Sequence, residues 1–412
     1  MKLRKTCFIY LPVLFVLFTG CYKYKEVDLI ENPSYMRVFN SVSIEPDIFQ
    51  GTNISSFFTF LMDPQTEEKN IPVRSATMAD FLGTRELYTT SYPLNSGNSS
   101  EGHYVVDATG RKVFISTPMN YEYPGNAHVL TAPAINGFDM SAWAQVKSGE
   151  HRIVFVARPK NNIPFPELSR EIRSTILVDT VVNFTEGEVY TLQIVCRDVD
   201  KNQFGLYMRR ETFVHQAFEE NKNYIGFVNL SGARPKRAQD GYMRVFPEKI
   251  SINYSFYTHQ KAPVKGYYPI EGYNNNFYKT LEKRMDTSIS YLTVPLLPRE
   301  AFFDNDTLRN YYRVDIASTI KPPPTMPFVQ FIFGNADNPG SGAKDYGFDC
   351  QANGALFNTY RYGLFETVMP SVNKIVSTGN KYRIYSTVNI MEIVYNRVYM
   401  MQILRGFNEV PQ

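Results

Sequence analysis

Apolar and polar positions alternate along most of this chain. His151-Arg152-Ile153-Val154-Phe155-Val156-Ala157 and the segment 189–196 have the period of two that places successive side chains on opposite faces of a strand. Asp198-Val199-Asp200-Lys201-Asn202 supplies turn chemistry before Phe204-Gly205-Leu206-Tyr207-Met208, which reads as a hairpin. Further strands are expected at 57–62, 104–106, 112–116, 252–257, 327–333, 382–393 and 397–404. Helical periodicity is confined to two short stretches, 276–285 and 211–220, the second lying where two halves would join. Many short strands, regular turns and 25 prolines predict an all-β chain built as sandwiches with few short helices.

Fragments of the first half recur in the second. Tyr35-Met36-Arg37-Val38-Phe39 returns letter for letter as Tyr242-Met243-Arg244-Val245-Phe246, and Val189-Tyr190-Thr191-Leu192-Gln193-Ile194-Val195 is echoed by Val398-Tyr399-Met400-Met401-Gln402-Ile403-Leu404. Tyr224-Ile225-Gly226-Phe227-Val228-Asn229 is a second echo of the stretch beginning at Tyr35. Recurrence predicts a duplicated β domain, residues 34–215 and 224–412, with the boundary near 216–223.

The N-terminus changes the picture of where these domains work. Met1-Lys2-Leu3-Arg4-Lys5 is basic, 7–18 is apolar, and Leu17-Phe18-Thr19-Gly20-Cys21 ends in a small pair before a cysteine. About a dozen apolar residues are too few to span ~30 Å of hydrocarbon as a helix, so residues 1–20 read as a signal peptide. Cleavage before Cys21 and its acylation would leave a lipid anchor, with 21–33 as a polar tether. Lys2, Arg4 and Lys5 account for the whole excess of 43 Lys+Arg over 40 Asp+Glu, so the mature chain carries no net basic field for nucleic acid. With Cys7 in the leader and Cys21 lipidated, Cys196 and Cys350 remain. Cys196 sits in a strong strand pattern and reads as a buried apolar residue.

Ser148-Gly149-Glu150-His151-Arg152-Ile153-Val154-Phe155-Val156, followed by Val181-Val182-Asn183-Phe184-Thr185-Glu186-Gly187-Glu188-Val189-Tyr190-Thr191, resembles the last strands of an Ig-like domain of unknown function found in bacterial surface lipoproteins. Phe227-Val228-Asn229-Leu230-Ser231-Gly232-Ala233-Arg234-Pro235 is similar to that family's opening strand and loop, and Phe39-Asn40-Ser41-Val42 is a shorter version. The resemblance implies two Ig-like sandwiches in tandem on a surface lipoprotein, and no catalytic residues. In type, a lipid-anchored β protein rich in Tyr and Asn also resembles the accessory lipoproteins of SusC/SusD-like outer-membrane importers. That likeness implies an outer-membrane location, a glycan or peptide ligand, and importer subunits as partners. The alternative is a structural or adhesive surface lipoprotein without a small ligand. The stretch Tyr22-Lys23-Tyr24-Lys25-Glu26-Val27-Asp28 leaves surface and periplasmic orientations both open.

Motifs for chemistry are sparse. Ser318-Thr319-Ile320-Lys321 has Ser-x-x-Lys spacing but runs directly into Pro322-Pro323-Pro324, which would stop the helix that chemistry needs. The five histidines form no His-x-x-x-His pair, so no metal site is expected. Asp198, Asp200 and Asn202 mimic a calcium loop, but Gln203 and Arg209 stand where glycine and glutamate belong. No cofactor and no enzymatic activity are expected. Recognition is expected instead at aromatic, amide-bearing loops of the second half: Tyr267, Tyr268, Tyr273 and Asn275, with Tyr360 and Tyr362.

Overall fold

A computed structural model of the chain describes residues 30–42, 56–83, 88–89, 102–106, 112–116, 134–140, 143–159, 161–236, 248–259, 267–282, 285–287, 289–297, 303–304, 307–308, 328–336, 357–361, 364–369, 374–378, 381–395 and 397–404. These residues are mostly strands. The single α-helix among them, α1 (Arg170–Arg173), is one turn long and begins at Ser169, whose Oγ accepts from Ile172 N. No helix of the described residues is long and apolar enough to cross a membrane. Cys21 lies outside the described residues.

The principal strands of the first half are β1 (Pro33–Asn40), β2 (Ser56–Met62), β3 (Thr77–Leu82), β4 (Tyr88–Thr89), β5 (Ala144–Lys147), β6 (Gly149–Pro159), β7 (Ile176–Phe184), β8 (Val189–Asp198) and β9 (Gln203–Arg210). Those of the second are β10 (Lys222–Asn229), β11 (Ile250–His259), β12 (Tyr267–Pro269), β13 (Asn276–Leu281), β14 (Tyr291–Pro295), β15 (Phe328–Asn335), β16 (Phe357–Arg361), β17 (Leu364–Met369), β18 (Thr387–Val394) and β19 (Arg397–Leu404). The first half pairs them as β7-β6-β2-β3 in an outer sheet and β5-β1-β8-β9 in an inner one. The second half has an inner sheet β14-β10-β18-β19 and an outer sheet β12-β11-β15-β17-β16, with β13 also on β11. β4 crosses from the first half and adds a parallel strand to β19, pairing Tyr88 with Met400.

Within each half the two sheets stack through large apolar side chains. Phe58 of the first outer sheet meets Phe204 of the first inner one at 6.4 Å. Phe227 of the second inner sheet packs against Phe331 and Phe333 of the second outer sheet at 5.1 and 6.3 Å. Inner strands such as β8 and β18 are buried along nearly their whole length, because both of their faces are covered. The layers therefore run outer, inner, inner, outer, and residues Asn32–Gln412 make one compact unit.

The halves share a topology, and it matches positions that the letter-for-letter recurrence does not. β1 runs parallel to β8, with Tyr35 opposite Val189, and β10 runs parallel to β18, with Tyr224 opposite Val388. Each parallel pair continues into an antiparallel hairpin partner, β9 or β19. The Tyr224 echo is thus the structural counterpart of the Tyr35 strand, whereas Tyr242 to Phe246 lie outside the described residues. β19, which carries the echo of Val189 to Val195, takes the role of β9 rather than of β8. Buried strands draw on the same few apolar residues, so short likenesses align strands of different rank.

Both helices expected from periodicity are corrected. Asn276–Leu281 is strand β13, paired along β11 with a bulge between Ile252 and Asn253. Its Asn-Phe-Tyr-Lys-Thr-Leu sequence is rich in strand formers, and the open side of β11 supplies ladder partners that a lone helix would lack. In 211–220 only a 3-10 turn, Thr212–His215, is helical. Phe213 and Phe218 of that segment are anchored on Phe138 at 4.9 and 5.3 Å, and Phe218 packs on Tyr224 at 4.5 Å. These contacts hold the connector extended across the junction.

Candidate functional site

Of the residues singled out from the sequence, four lie at one edge of the second outer sheet and Tyr360 lies at the other. Tyr267 and Tyr268 lie in β12, opposite His259 and Thr258 of β11. Tyr273 and Asn275 follow in the link from β12 to β13, at the same edge of the outer sheet. Tyr273 is half-buried, with its ring 6.2 Å from that of Phe256 and its carbonyl accepting from Phe256 N at 2.9 Å. Asn275 is exposed at φ +49°, a left-handed turn position that Asn tolerates, and its N–H donates to Ser255 Oγ at 2.8 Å. Tyr360 belongs to β16, the opposite edge. Four strand spacings separate β12 from β16, roughly 19 Å at ~4.8 Å each. Tyr362 lies outside the described residues.

What the structure concentrates instead is charge, buried where the two inner sheets meet. Arg209 of β9 donates from Nη1 to Glu392 Oε1 of β18 at 2.7 Å, and from Nη2 to Glu211 Oε1 at 2.8 Å. All three side chains are at most 1% exposed. Glu211 also accepts from Thr191 Oγ1, and Gln193 Nε2 donates to Glu392 Oε2 at 2.9 Å and to Ser41 Oγ at 3.1 Å. Arg37 lies 3.7 Å above the Trp143 ring and donates to Met401 Sδ across the junction. Burial opposes the Arg209 charge, but the two carboxylates outweigh it and hold the guanidinium well above its ordinary range. Burial likewise pushes the phenols of Tyr207 and Tyr291 upward, with Glu211 acting on both in the same direction. This seam fixes the halves against each other and is closed to ligand. Its signal in the sequence was Glu392 inside the run Val388 to Val394, with Gln193 inside the mostly apolar β8 and Arg209 near the end of β9.

Next to the seam the junction opens into a cleft of about 730 Å³. Arg197, Leu206, Tyr207 and Met208 line it from the first half; Ser231, Gly232, Ala233, Glu248, Met285 and Thr287 line it from the second. The floor is braced on both sides. Ala233 N donates to Arg197 O at 2.6 Å, Tyr395 Oη to Cys196 O at 2.8 Å, and Tyr207 Oη to Asp286 O at 2.9 Å. A Cβ at Gly232 would collide with the backbone of Cys196 and Arg197, so only glycine lets the two segments approach this closely. Cys196 itself is buried, as its strand pattern implies.

Other polar clusters are structural. His151 Nδ1 lies 2.6 Å from Asp63 Oδ2, and its Nε2 lies 2.8 Å from Lys147 O, so both ring nitrogens face oxygens of the fold. Asp198, Asp200 and Asn202 make a hairpin turn in which Asp198 accepts from Lys201 N at 3.2 Å. Among the described residues, no three His, Cys, Asp or Glu side chains are arranged to hold a metal ion. No family model matches this chain, and no curated protein matches it.

Proposed function

We propose that the chain is an outer-membrane lipoprotein, held through Cys21 and the tether 21–33. In this reading it is a ligand-capturing or accessory subunit of a SusC/SusD-like, TonB-dependent importer of glycans or peptides. The observation that carries the reading is the junction cleft. Its volume falls within the ~300–1,000 Å³ of small-ligand sites, and clefts between packed units are a preferred place for them. The anchor signature supports the location, and the tandem Ig-like resemblance supports the architecture. A second reading, a structural or adhesive surface protein, is favoured by the seam of Arg209, Glu211 and Glu392, because locked layers suit an element that transmits force.

The test is fractionation and affinity purification from detergent-solubilised outer membranes. The parent protein should sediment with the outer membrane and bring down an importer barrel. Cys21→Ala should leave the membrane fraction. Unchanged sedimentation of Cys21→Ala would refute the anchor. Recovery of homopolymers in place of a barrel would select the second reading.

A further inference from the structure

The cleft carries more chemical detail than its size, and the detail centres on Arg197. In the β8-β9 hairpin Val195 pairs with Gly205 and Cys196 with Phe204, but the next pair is Asp198 with Gln203. Arg197 is therefore the extra residue of a β-bulge, a device that re-aims one side chain without breaking a hairpin. Its guanidinium folds back over Gly205, where any Cβ would collide with it. Nη2 lies 3.4 Å from Leu206 O, and among the described residues Arg197 makes no ion pair. Bulge and glycine together hold a guanidinium at the cleft.

The rest of the lining limits what that cation can meet. Leu206, Met208 and Met285 are apolar, and the Tyr207 hydroxyl is committed to Asp286 O. Met285 sits at φ +58°, an uncommon conformation for a residue with a side chain, held by donation of its N–H to Asn229 O at 2.7 Å. Two thioethers make an adaptable apolar wall, suited to side chains of varied shape. Glu248 adds one carboxylate, which also makes no ion pair among the described residues. Among the described residues no Asn or Gln lines the cleft. A guanidinium binds carboxylate through two parallel hydrogen bonds, and a carboxylate binds ammonium. A short apolar peptide with free termini has an anionic end, an apolar body and a cationic end.

We propose that the junction cleft binds short apolar peptides, with Arg197 on the C-terminal carboxylate, Glu248 on the N-terminal ammonium, and Met208 and Met285 against the side chains. This rests on the capture reading above and narrows its ligand from glycan or peptide to peptide. The test is calorimetric titration of the full lipidated protein in detergent with trileucine, trileucine amide, N-acetyl-trileucine and maltotriose. Trileucine should bind, and amidation should weaken it about tenfold, the loss expected for one charge-assisted contact. In Arg197→Gln, acid and amide should bind equally weakly. In Glu248→Gln, acetylation should cease to matter. Gly205→Ala, which displaces the guanidinium, should reproduce Arg197→Gln with an unchanged melting temperature. Failure of trileucine to bind, or acid–amide discrimination that survives Arg197→Gln, would overturn the assignment. Binding of maltotriose without trileucine would overturn it while sparing the capture reading. Trileucine binding without recovery of any importer barrel would uphold the cleft and remove the importer.

Discussion

Two kinds of sheet-to-sheet contact hold this molecule together. Inside each half the contact is apolar: Phe58 meets Phe204 edge-on at 6.4 Å, and Phe227 meets Phe331 at 5.1 Å. Between the halves apolar residues also meet, but there the structure adds an equally buried polar seam, with Arg209 shared by Glu211 and Glu392. Apolar packing gains from every ring removed from water and tolerates small slips. Buried ions are different. Desolvation offsets most of their attraction, and each is costly without its partner, so they contribute little net stability but admit one register. The apolar contacts thus supply stability, and the seam sets how the halves meet and where the cleft opens.

The largest expected effects test that division directly. Phe155→Ala should cost about 3–5 kcal/mol by leaving a cavity, and Glu392→Ala about 1–3 kcal/mol by leaving Arg209 Nη1 buried without its acceptor while Glu211 still balances the charge. Only the seam should be replaceable by apolar residues. The triple change Arg209→Met, Glu211→Leu, Glu392→Leu should recover most of the loss of Glu392→Ala in urea unfolding. A triple variant as unstable as the single one would break the comparison.

A smaller effect separates the two contacts by pH. The folded protein holds the Tyr207 and Tyr291 protons more tightly than the unfolded chain does, chiefly because the phenols are buried at the junction. Their contribution is therefore complete below the ordinary phenol value of 10.0 and declines as pH rises above it. Each can steepen the alkaline loss by up to about 1.4 kcal/mol per pH unit. Unfolding followed from pH 8 to 12 should show a shallower decline in Tyr207→Phe with Tyr291→Phe, and an unaltered slope would place these phenols in water.

The smallest effect comes from a pair that belongs to neither contact. Arg152 and Asp179 bond at 2.6 Å on strands β6 and β7, but both side chains are partly exposed. Arg152→Gln should cost only about 0.2–1 kcal/mol, and less in high salt. A loss approaching that of Glu392→Ala would mean that burial is not what distinguishes the seam.

Much of the fold was legible because strands report themselves locally. The segments at 112–116 and 397–404 coincide with observed strands, and the polar run after Cys196 does turn β8 into β9. Segments 276–285 and 211–220 were misread because a partner decided them: the open side of β11 for one, the Phe138 cluster for the other. The cleft was illegible for a related reason. Its lining comes from 197–208, 231–233, 248 and 285–287, and no spacing rule links these segments. Of its residues only the bulge left a trace, in a hairpin one residue longer on one side.

By itself the sequence determined an all-β sandwich fold, because alternation with period two is a property of each strand and survives whatever packs upon it. It also carried the basic-apolar-small-Cys order at 1–21, whose chemistry is read along the chain. The tertiary structure alone decided the rank of each strand, the placement of Tyr273 and Tyr360 at opposite edges, and the pairing of Arg209 with a glutamate 183 positions away. These depend on which faces meet after the strands have formed. A charge in a strand carries no mark of its partner until desolvation forces the two together.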